Sequence, residues 1–351
     1  MRDEFDFIAS IGRRAERQRH RRALLKGIGD DAAIYKERVG YETVITTDLL
    51  VEAIDFHLDW TPPRLLGHKA LAVSLSDIAA MGARPVFALL SFGVPRHIWH
   101  TDFMDKFYEG FFALADEHHV NLIGGDVSRT SERVVIDSIV IGEAKQNRAV
   151  LRSGARPGDA IFVTGTLGGA AAGLKLLEAG ARLSDEKRDE RNTPARKHVT
   201  PQSARDKLLL RHLCPQPRLQ WGALLSETGL ATAMIDLSDG LSSDLMHLCG
   251  ARRGARLEAA RIPLDPSMEI SRMARREALT LALHGGEDFE LLFTVRKRYR
   301  RRVPRQVGGI PATFIGEMTN EAGVGMLAEG TRSRVLKARG FRHFTNSHKR
   351  D

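Results

Sequence analysis

Strand-like and helix-like segments alternate along most of the chain, and this alternation limits the possible folds more than any other feature. The run "PVFALLSFGV" (85–94) predicts a buried strand, residues 101–119 predict an amphipathic helix, and "RVVIDSIVIGEA" (133–144) predicts another strand. In the second half, "AIFVTG" (160–165) precedes a glycine-rich helix from Leu167 to Gly180. Such alternation indicates an α/β (α+β) fold with mixed sheets.

The chain has 351 residues, which is long enough for two domains. A turn-like segment, "KQNRAVLRSGARPGD" (145–159), separates the two halves. We therefore expect an N-terminal domain over residues 1–147 and a C-terminal domain over residues 148–351. Residues 184–206 are polar and charge-dense with no apolar periodicity, which predicts a mobile surface insertion in the second domain.

The net charge of +9 raises the question of a nucleic-acid partner. The basic residues cluster at 13–22, 251–256 and 296–305, and Tyr299 is the one aromatic residue among them. Because base-stacking platforms need aromatic side chains, a solvated basic surface is favoured over nucleic-acid binding.

The remaining composition narrows the class of protein. The N-terminus "MRDEFDFIAS" carries acids where a secretory signal needs an apolar core, and no run is long enough to cross a bilayer. These features favour a cytoplasmic protein with no membrane partner. Only Cys214 and Cys249 are present, without a C-x-x-C pattern, which disfavours a disulfide framework and a structural zinc site.

Acidic residues stand beside glycine or among apolar residues at several places. The stretch "AMIDLSDGLSSDL" (233–245) predicts a strand, a glycine turn and a helix. It holds Asp236, Asp239 and Asp244. The other sites are, in chain order, Asp30 and Asp31 in "GIGDDAA", Asp48 in "ITTDLL", Asp126 in "LIGGDVSRT", and Glu287 and Asp288 in "HGGEDFELLF". We expect Asp48 and Asp126 at strand ends. Each site alone also suits a turn or a helix cap, as Asp239 does before a helix starting at Gly240.

Asp77 is placed by helical geometry. Residues 61–83 predict a helix with Thr61 as its cap, and the spacing of Leu66, Ala70, Val73, Asp77 and Met81 puts the acid on the apolar stripe. A carboxylate there needs a partner. The partner is either a bound metal ion or a buried ion pair with Arg84 or Lys69.

Oxygen ligands without thiolates or clustered histidines suit Mg²⁺, which shares its coordination with waters and substrate phosphates. Adjacent glycines let backbone N–H groups approach phosphates. No Walker-type loop, G-x-S-x-G elbow, H-E-x-x-H pair or protein-kinase set occurs. The residues alone therefore indicate a magnesium-dependent enzyme that handles phosphates.

Seven segments carry a family resemblance. In chain order they are "GIGDDAA", "TTDLLVEAIDF", "HKALAVSLSDIAAMGARP", "GGDVSRT", "RSGARPGD", "IDLSDGLSSDL" and "GGEDFELLF", with a weaker echo at "GFRHF" (340–344). This ordered set resembles the thiamine-monophosphate kinase family. That family lies within the ATP-binding superfamily typified by aminoimidazole ribonucleotide synthetase.

The resemblance implies two domains of that superfamily's type and transfer of the ATP γ-phosphoryl group to thiamine phosphate, with Mg²⁺ as cofactor. It also implies a homodimer whose N-terminal sheets pair. The metal residues carried over by motif are Asp30, Thr46, Thr47, Asp48, Asp77, Asp126, Asp236 and Asp239. Those at the nucleotide are Tyr108, Gly125, Asp126, Arg152 and Ser238, with Asp126 and Arg152 stabilising charge. Those facing thiamine are Glu287 and Phe341.

One segment departs from the family pattern. Where the family usually reads "VEGVHF", this chain reads "VEAIDF", so that Asp55 replaces a histidine near the substrate and His57 lies two residues later. Strand alternation would point both side chains to the same side, which leaves either of them as the thiamine contact.

Three other functions remain open on the residues. A related synthetase would form a phosphorylated amide intermediate in purine biosynthesis. Selenophosphate synthetase is disfavoured because neither cysteine lies near the N-terminus. A basic nucleic-acid-binding protein would bind RNA in a salt-sensitive way without turnover.

Overall fold

The computed structural model describes residues 4–18, 23–184, 201, 203–322, 325–330, 332–341 and 343–344. The chain forms two compact units, one of residues 1–149 and 213–227 and the other of residues 150–212 and 228–351. Residues 213–227 therefore belong with the first unit, whereas the sequence prediction assigned them to the second domain. The last part of this segment is a helix that packs closely on the first unit, as described below.

The first unit combines helices with short and long strands. In chain order its elements are α1 Glu4–Glu16, β1 Leu24–Lys26, β2 Ile34–Tyr35, β3 Tyr41–Val51, α2 Pro63–Ala80, β4 Arg84–Pro95, α3 Arg96–Trp99, α4 Phe103–Glu117, β5 Asn121–Thr130, β6 Val135–Lys145 and α7 Leu219–Thr228. Strands β1 and β2 pair with each other. The main sheet has the order β3-β6-β4-β5, in which β4 and β5 are parallel and the other neighbours antiparallel.

Helix α2 is the central element of the first unit. Nearly all of its residues are buried, including the whole run from Lys69 to Ser76, because other elements surround it. A Cβ atom added at Gly222 of α7 would lie 2.1 Å from the Ala79 carbonyl oxygen, so glycine allows α7 to pack directly on α2. Thr61 does not cap α2: the cap residue is Pro62, without a side-chain hydrogen bond.

The second unit is built on a larger sheet. In chain order its elements are β7 Ala160–Thr164, α5 Gly169–Glu178, α6 Ala204–Leu213, β8 Ala231–Asp236, α8 Leu241–Cys249, β9 Gly254–Glu258, α9 Pro266–Ile270, α10 Arg275–His284, β10 Leu291–Val295, β11 Gln306–Val307, β12 Ile310–Thr319, β13 Gly325–Glu329 and β14 Arg332–Val335. The sheet order is β14-β13-β9-β12-β7-β10-β8, with β11 paired to β12. Within the described strands of this second sheet, only β9 and β13 pair in parallel.

The expected α/β (α+β) fold with mixed sheets is confirmed, with some differences in its elements. One helix expected near 268–283 is two, because Arg272 has a positive φ of 61° between α9 and α10. Most of the insertion predicted at 184–206 lies outside the described residues. Its ends are ordered: α6 begins at Ala204, and buried Asp206 accepts hydrogen bonds from Ser184 and Ser203. No helix among the described residues is long and apolar enough to cross a membrane.

Candidate active site

A pair of carboxylates lies between β3 and α2 in the first unit. Thr46 Oγ1 donates a hydrogen bond of 2.5 Å to Asp77 Oδ2, and Ser74 Oγ donates one of 2.7 Å to Asp48 Oδ2. The alternation of β3 explains this arrangement, because Thr46 and Asp48 point to the α2 side of the strand. Neither carboxylate pairs with a cationic side chain in the described part of the chain.

The ion-pair alternative for Asp77 is therefore wrong. Arg84 instead binds Glu227 at 2.5 Å, and the Lys69 ammonium donates to the Asp55 carbonyl oxygen at 3.4 Å. Asp77 is left with a neutral hydroxyl as its partner, which satisfies a hydrogen bond but does not compensate a charge.

Asp137 adds a third carboxylate on the opposite face of the sheet. Its Oδ1 accepts a hydrogen bond of 2.6 Å from Thr47 Oγ1. Burial, followed by the charge of Asp77 and with a contribution from Asp137, raises the pKa of Asp48 to about 6 against the opposing effect of the Ser74 hydrogen bond. Asp48, Asp77 and Asp137 together thus carry excess negative charge, which suits a site for a cation.

Asp126 and Gly125 lie in the middle of β5 rather than at a strand end, because the strand continues to Thr130. Asp126 is in register with Ser91 of β4, which is itself opposite Asp137 of β6. Asp126 and Asp137 therefore belong to one row across the sheet. A Cβ atom at Gly125 would lie 2.0 Å from the Leu90 carbonyl oxygen, so close packing with β4 already requires glycine there.

Asp30 and Tyr108 make their contacts with other residues. Asp30 is exposed and forms an ion pair with Lys26 at 3.1 Å, and this hydrogen-bonded contact lowers the pKa of Asp30. Tyr108 is buried among aromatic side chains, including Phe7 and Phe107, and this burial raises the pKa of its phenol. No hydrogen bond or ion pair in the described residues joins either side chain to Asp48 or Asp77.

The segment after β3 is a turn, so the expectation that strand alternation aligns Asp55 with His57 is wrong. Strand β3 ends at Val51, Ala53 has a φ of 67°, and Asp55 Oδ2 accepts a hydrogen bond of 2.8 Å from the Val51 N–H. Asp55 thereby holds the turn, while the His57 ring lies 4.2 Å from the ring of Trp60.

The glycine turn between β8 and α8 in the second unit gathers three carboxylates. Asp236 is buried at the end of β8, and Asp244 accepts hydrogen bonds from the N–H groups of Asp239 and Gly240. Asp239 does not cap the helix, because the cap residue Gly240 has no side-chain cap. Burial, followed by the charges of Asp236 and Asp239, raises the pKa of Asp244 to about 8.

Residues expected at the nucleotide and at thiamine surround this turn. The Glu287 N–H donates to the Ser238 carbonyl oxygen at 2.8 Å, and the Phe341 N–H donates to the Asp239 carbonyl oxygen at 3.2 Å. Glu287 has a φ of 64°, and its carboxylate Oε2 lies 2.8 Å from Nδ1 of His212. Phe341 is half-exposed, and Ser238 is exposed. Arg152 is exposed in a turn without a hydrogen bond or ion pair to the described residues.

The carboxylates do not form a closed cage. No group of three or more His, Cys, Asp or Glu side chains in the described ranges is close enough to hold a metal ion by itself. Ser138 is opposite Asp48 in the sheet register, and its buried hydroxyl oxygen has no hydrogen-bond partner among the described residues. Open sets of oxygen atoms suit Mg²⁺, which completes its shell with waters and phosphates.

Sequence reasoning missed Asp137, Ser74 and His212. Asp137 had a signal, because it is a lone acid in the apolar run "VVIDSIVIG". Ser74 and His212 had no comparable signal, because each acquires its role only through a contact made by the tertiary fold.

Comparisons with known proteins agree along nearly the whole chain. Residues 29–144 match the family "AIR synthase related protein, N-terminal domain", and residues 156–328 match the corresponding C-terminal domain. The thiamine-monophosphate kinase of Bacillus subtilis (strain 168) is 36% identical over 346 residues, covering 97% of this chain and 99% of that protein.

Solved structures give the same picture. The thiamine-monophosphate kinase of Stenotrophomonas maltophilia K279a is 35% identical with a TM-score of 0.78, over 92% of this chain and 96% of that one. AaThiL complexed with AMPPCP and TMP is 29% identical with a TM-score of 0.71, over 98% and 99% of the two chains. The chain belongs to the thiamine-monophosphate kinase family, with the two domains of AIR synthase related proteins.

Proposed function

We propose that this protein phosphorylates thiamine phosphate with ATP, giving thiamine diphosphate and ADP. The observation that carries this proposal is identity of 36% over 97% of the chain with a thiamine-monophosphate kinase. A similar structure contains TMP together with AMPPCP. AMPPCP is an ATP analogue in which a methylene group replaces the oxygen between the β- and γ-phosphorus atoms, so the γ-phosphoryl group cannot be transferred. The synthetase alternative is not favoured by these relatives.

The chemistry asks for charge compensation and positioning. The acceptor phosphate has a second pKa of roughly 6 and is largely ionised at neutral pH, so no general base is needed. Two unit charges 4 Å apart repel by about 4 kcal/mol at an effective dielectric of 20, and both reactants carry several charges. The residues must therefore hold cations near the phosphates and align the two reacting groups.

The first unit offers a fitting cation site, and we propose Mg²⁺ as its occupant. Asp48 and Asp77 lack cationic partners among the described residues, and burial, followed by the charge of Asp77, raises the pKa of Asp48 to about 6. When bound, Mg²⁺ would neutralise phosphate oxygens. The further residues proposed to serve metal ions are Asp30, Thr46, Thr47, Asp126, Asp236 and Asp239.

The remaining assignments are proposals of the same kind. Tyr108, Gly125, Arg152 and Ser238 are assigned to ATP, with Arg152 as a mobile charge because it is exposed and unpaired within the described residues. Glu287 and Phe341 are assigned to thiamine, since a carboxylate suits a cationic thiazolium ring. Asp55 already holds its own turn, which favours His57 as the additional contact from that segment.

A homodimer is supported by an apolar sheet face in the first unit. On the side of β3 that bears Thr47, Ile45 is 64% exposed and Leu49 is 59% exposed. The alternation of β3 puts Ile45 and Leu49 on one face, on either side of Thr47, and exposed apolar side chains that share a face suit an interaction site. We propose that a second copy of the chain covers this face. With ATP as co-substrate, the cytoplasm is the proposed location.

The test is a product assay with purified protein, ATP and thiamine phosphate. We expect one ADP for each thiamine diphosphate formed, with both products absent when EDTA removes divalent cations. ATP hydrolysis that is independent of thiamine phosphate would contradict the proposed reaction.

A further inference from the structure

An open cavity of about 530 Å³ lies in the first unit where β4 and β5 end. Its lining is formed by Arg96, His97, His100, Arg129, Thr130 and Ser131. None of these residues has a role in the proposed reaction. The volume is within the range of small-molecule sites.

The backbone fixes the positions of these side chains. Strands β4 and β5 are parallel neighbours with Val94 opposite Arg129 and Pro95 opposite Thr130, so their C-terminal ends lie side by side. Helix α3 follows β4 directly and brings Arg96 and the two histidines to the same place. Arg96 and the two histidines therefore come from one strand end and Arg129 from the other. The folded sheet brings them together, although more than thirty positions separate Arg96 from Arg129 in the sequence.

The charges at this cavity are of one sign. No acidic side chain lines it, and the guanidinium groups of Arg96 and Arg129 form no ion pair or hydrogen bond with the described part of the chain. The nearby Asp102 is already paired with Lys106 at 2.6 Å. Thr130 Oγ1 donates to the Arg133 carbonyl oxygen, which leaves the two guanidinium groups as the strongest free donors.

We propose that this cavity is a binding site for a small phosphate-bearing anion. Guanidinium groups bind phosphate oxygens in a bidentate manner, and the imidazole N–H groups and the Ser131 hydroxyl supply further donors. The site is separate from the carboxylate group: Arg129 follows Asp126 by three positions on β5, or about 10 Å at the usual strand rise. Its charge is also opposite, so the ligand binds without a metal ion.

The test is a calorimetric titration of the full chain in EDTA with inorganic phosphate and with pyrophosphate. EDTA removes divalent cations, so the carboxylate-rich surfaces repel both probes. We expect saturable binding of one anion per chain, weakened at least tenfold in the Arg96→Gln/Arg129→Gln double variant. The matched control is Arg275→Gln/Arg276→Gln, which removes the same charge from exposed positions of α10 and should bind as wild type does.

Further outcomes decide the proposal and the source of the phosphate. Equal weakening in both double variants, or no saturable binding at millimolar phosphate, would overturn it. Binding of a short single-stranded RNA that phosphate does not displace would overturn it as well, in favour of a nucleic-acid surface. A parallel titration with AMP distinguishes the sources: affinity equal to that of phosphate indicates the free anion, and affinity more than tenfold higher indicates a nucleotide's phosphate.

Discussion

Carboxylates without cationic partners decide the chemistry at the scale of single residues. Asp48 and Asp77 are held by the hydroxyls of Ser74 and Thr46, so their charges remain uncompensated within the described residues. An uncompensated pair in half-buried surroundings costs free energy, which a bound cation recovers. The stability of the protein and its affinity for Mg²⁺ are therefore linked.

Asp77→Asn should lower turnover at least about a hundredfold, because the substitution removes a charged oxygen from the proposed cation site while keeping the shape of the side chain. The thermal midpoint should stop rising when Mg²⁺ is added. Asp102→Asn is the matched control, since its surface ion pair with Lys106 contributes little. Near-normal turnover of Asp77→Asn at ordinary Mg²⁺ would remove Asp77 from the cation site.

His212 is predicted to position Glu287. The contact of 2.8 Å with the Glu287 carboxylate orients a residue whose backbone is in the left-handed region. His212→Ala should raise KM for thiamine phosphate about tenfold, the worth of one hydrogen bond to a charged group, and leave KM for ATP unchanged. His212→Gln, which keeps a donor, should recover part of the loss. Equal changes in both constants would mean that His212 is merely structural.

Single residues also show where sequence reasoning stops. The helical stripe predicted that Asp77 needs a partner and left open a metal ion or an ion pair with Arg84 or Lys69, but it gave no sign of the hydrogen bond from Thr46. Asp137 stands out as a lone acid in an apolar run, but its position beside Thr47 depends on the pairing of β3 with β6, which the sequence does not give. Asp55 and His57 were misread because a turn at positive φ, with Ala53 at 67°, has no marker in a segment without glycine.

At the scale of elements, the crossing of α2 and α4 sets the first unit's core. A Cβ atom at Gly67 would lie 1.9 Å from the Phe107 carbonyl oxygen, and one at Gly110 would lie 1.8 Å from that of Arg64. Each glycine lies against the backbone of the other helix, so the backbones of α2 and α4 approach closely. This contact holds α2, and with it Asp77, against the sheet.

Gly110→Ala should lower the free energy of unfolding by about 3 kcal/mol, because the added methyl group forces the two helices apart. Gly12→Ala is the control: its Cβ atom would meet Ile28 Cγ2 at 3.4 Å, an ordinary contact, and alanine favours a helix by up to about 1 kcal/mol. Urea denaturation of both variants measures the difference. Equal stability of the two variants would contradict the close crossing.

Asp288, whose carboxylate lies at the N-terminus of α5, is predicted to titrate at an unusual pH. Asp288 accepts hydrogen bonds from the N–H groups of Gly168 and Ala170, and Arg211 lies 3.7 Å away, with Glu290 beside them. Burial raises the pKa of Asp288 to about 6 despite Arg211 and these hydrogen bonds. The folded state therefore keeps the proton at a pH where the unfolded chain has lost it.

This residue's contribution to stability should fall as the pH rises from about 4 to about 6 and then stay constant. One pKa unit corresponds to about 1.4 kcal/mol, so the total change is about 3 kcal/mol. Denaturation of wild type and Asp288→Asn at pH 4, 5, 6 and 7 isolates the effect, because other groups cancel in the difference. A difference that is independent of pH would contradict the raised pKa.

Elements were predictable where their periodicity was long. The central strands and α2 follow from apolar runs, whereas α6 starts inside a segment that reads as a charged insertion. Its burial depends on Asp206, whose partners Ser184 and Ser203 lie on both sides of that segment. Contacts between residues on both sides of a segment cannot be read from the order of residue types along the sequence.

At the scale of the whole molecule, the open face of the first unit's sheet implies assembly. Ile45→Lys should shift the proposed dimer to monomer in analytical ultracentrifugation, because it buries a charge in an apolar interface. Ile270→Lys is the control, since Ile270 is 66% exposed on the second unit. A dimer unchanged by Ile45→Lys would place any interface elsewhere.

In the proposed reaction one phosphoryl group moves from ATP to thiamine phosphate, so a label on that group should follow the transfer. With γ-³²P-labelled ATP, thiamine phosphate and Mg²⁺, we predict that the label appears in thiamine diphosphate in step with ADP formation. Label released as inorganic phosphate, with none in thiamine diphosphate, would contradict the account and point to a synthetase-type reaction.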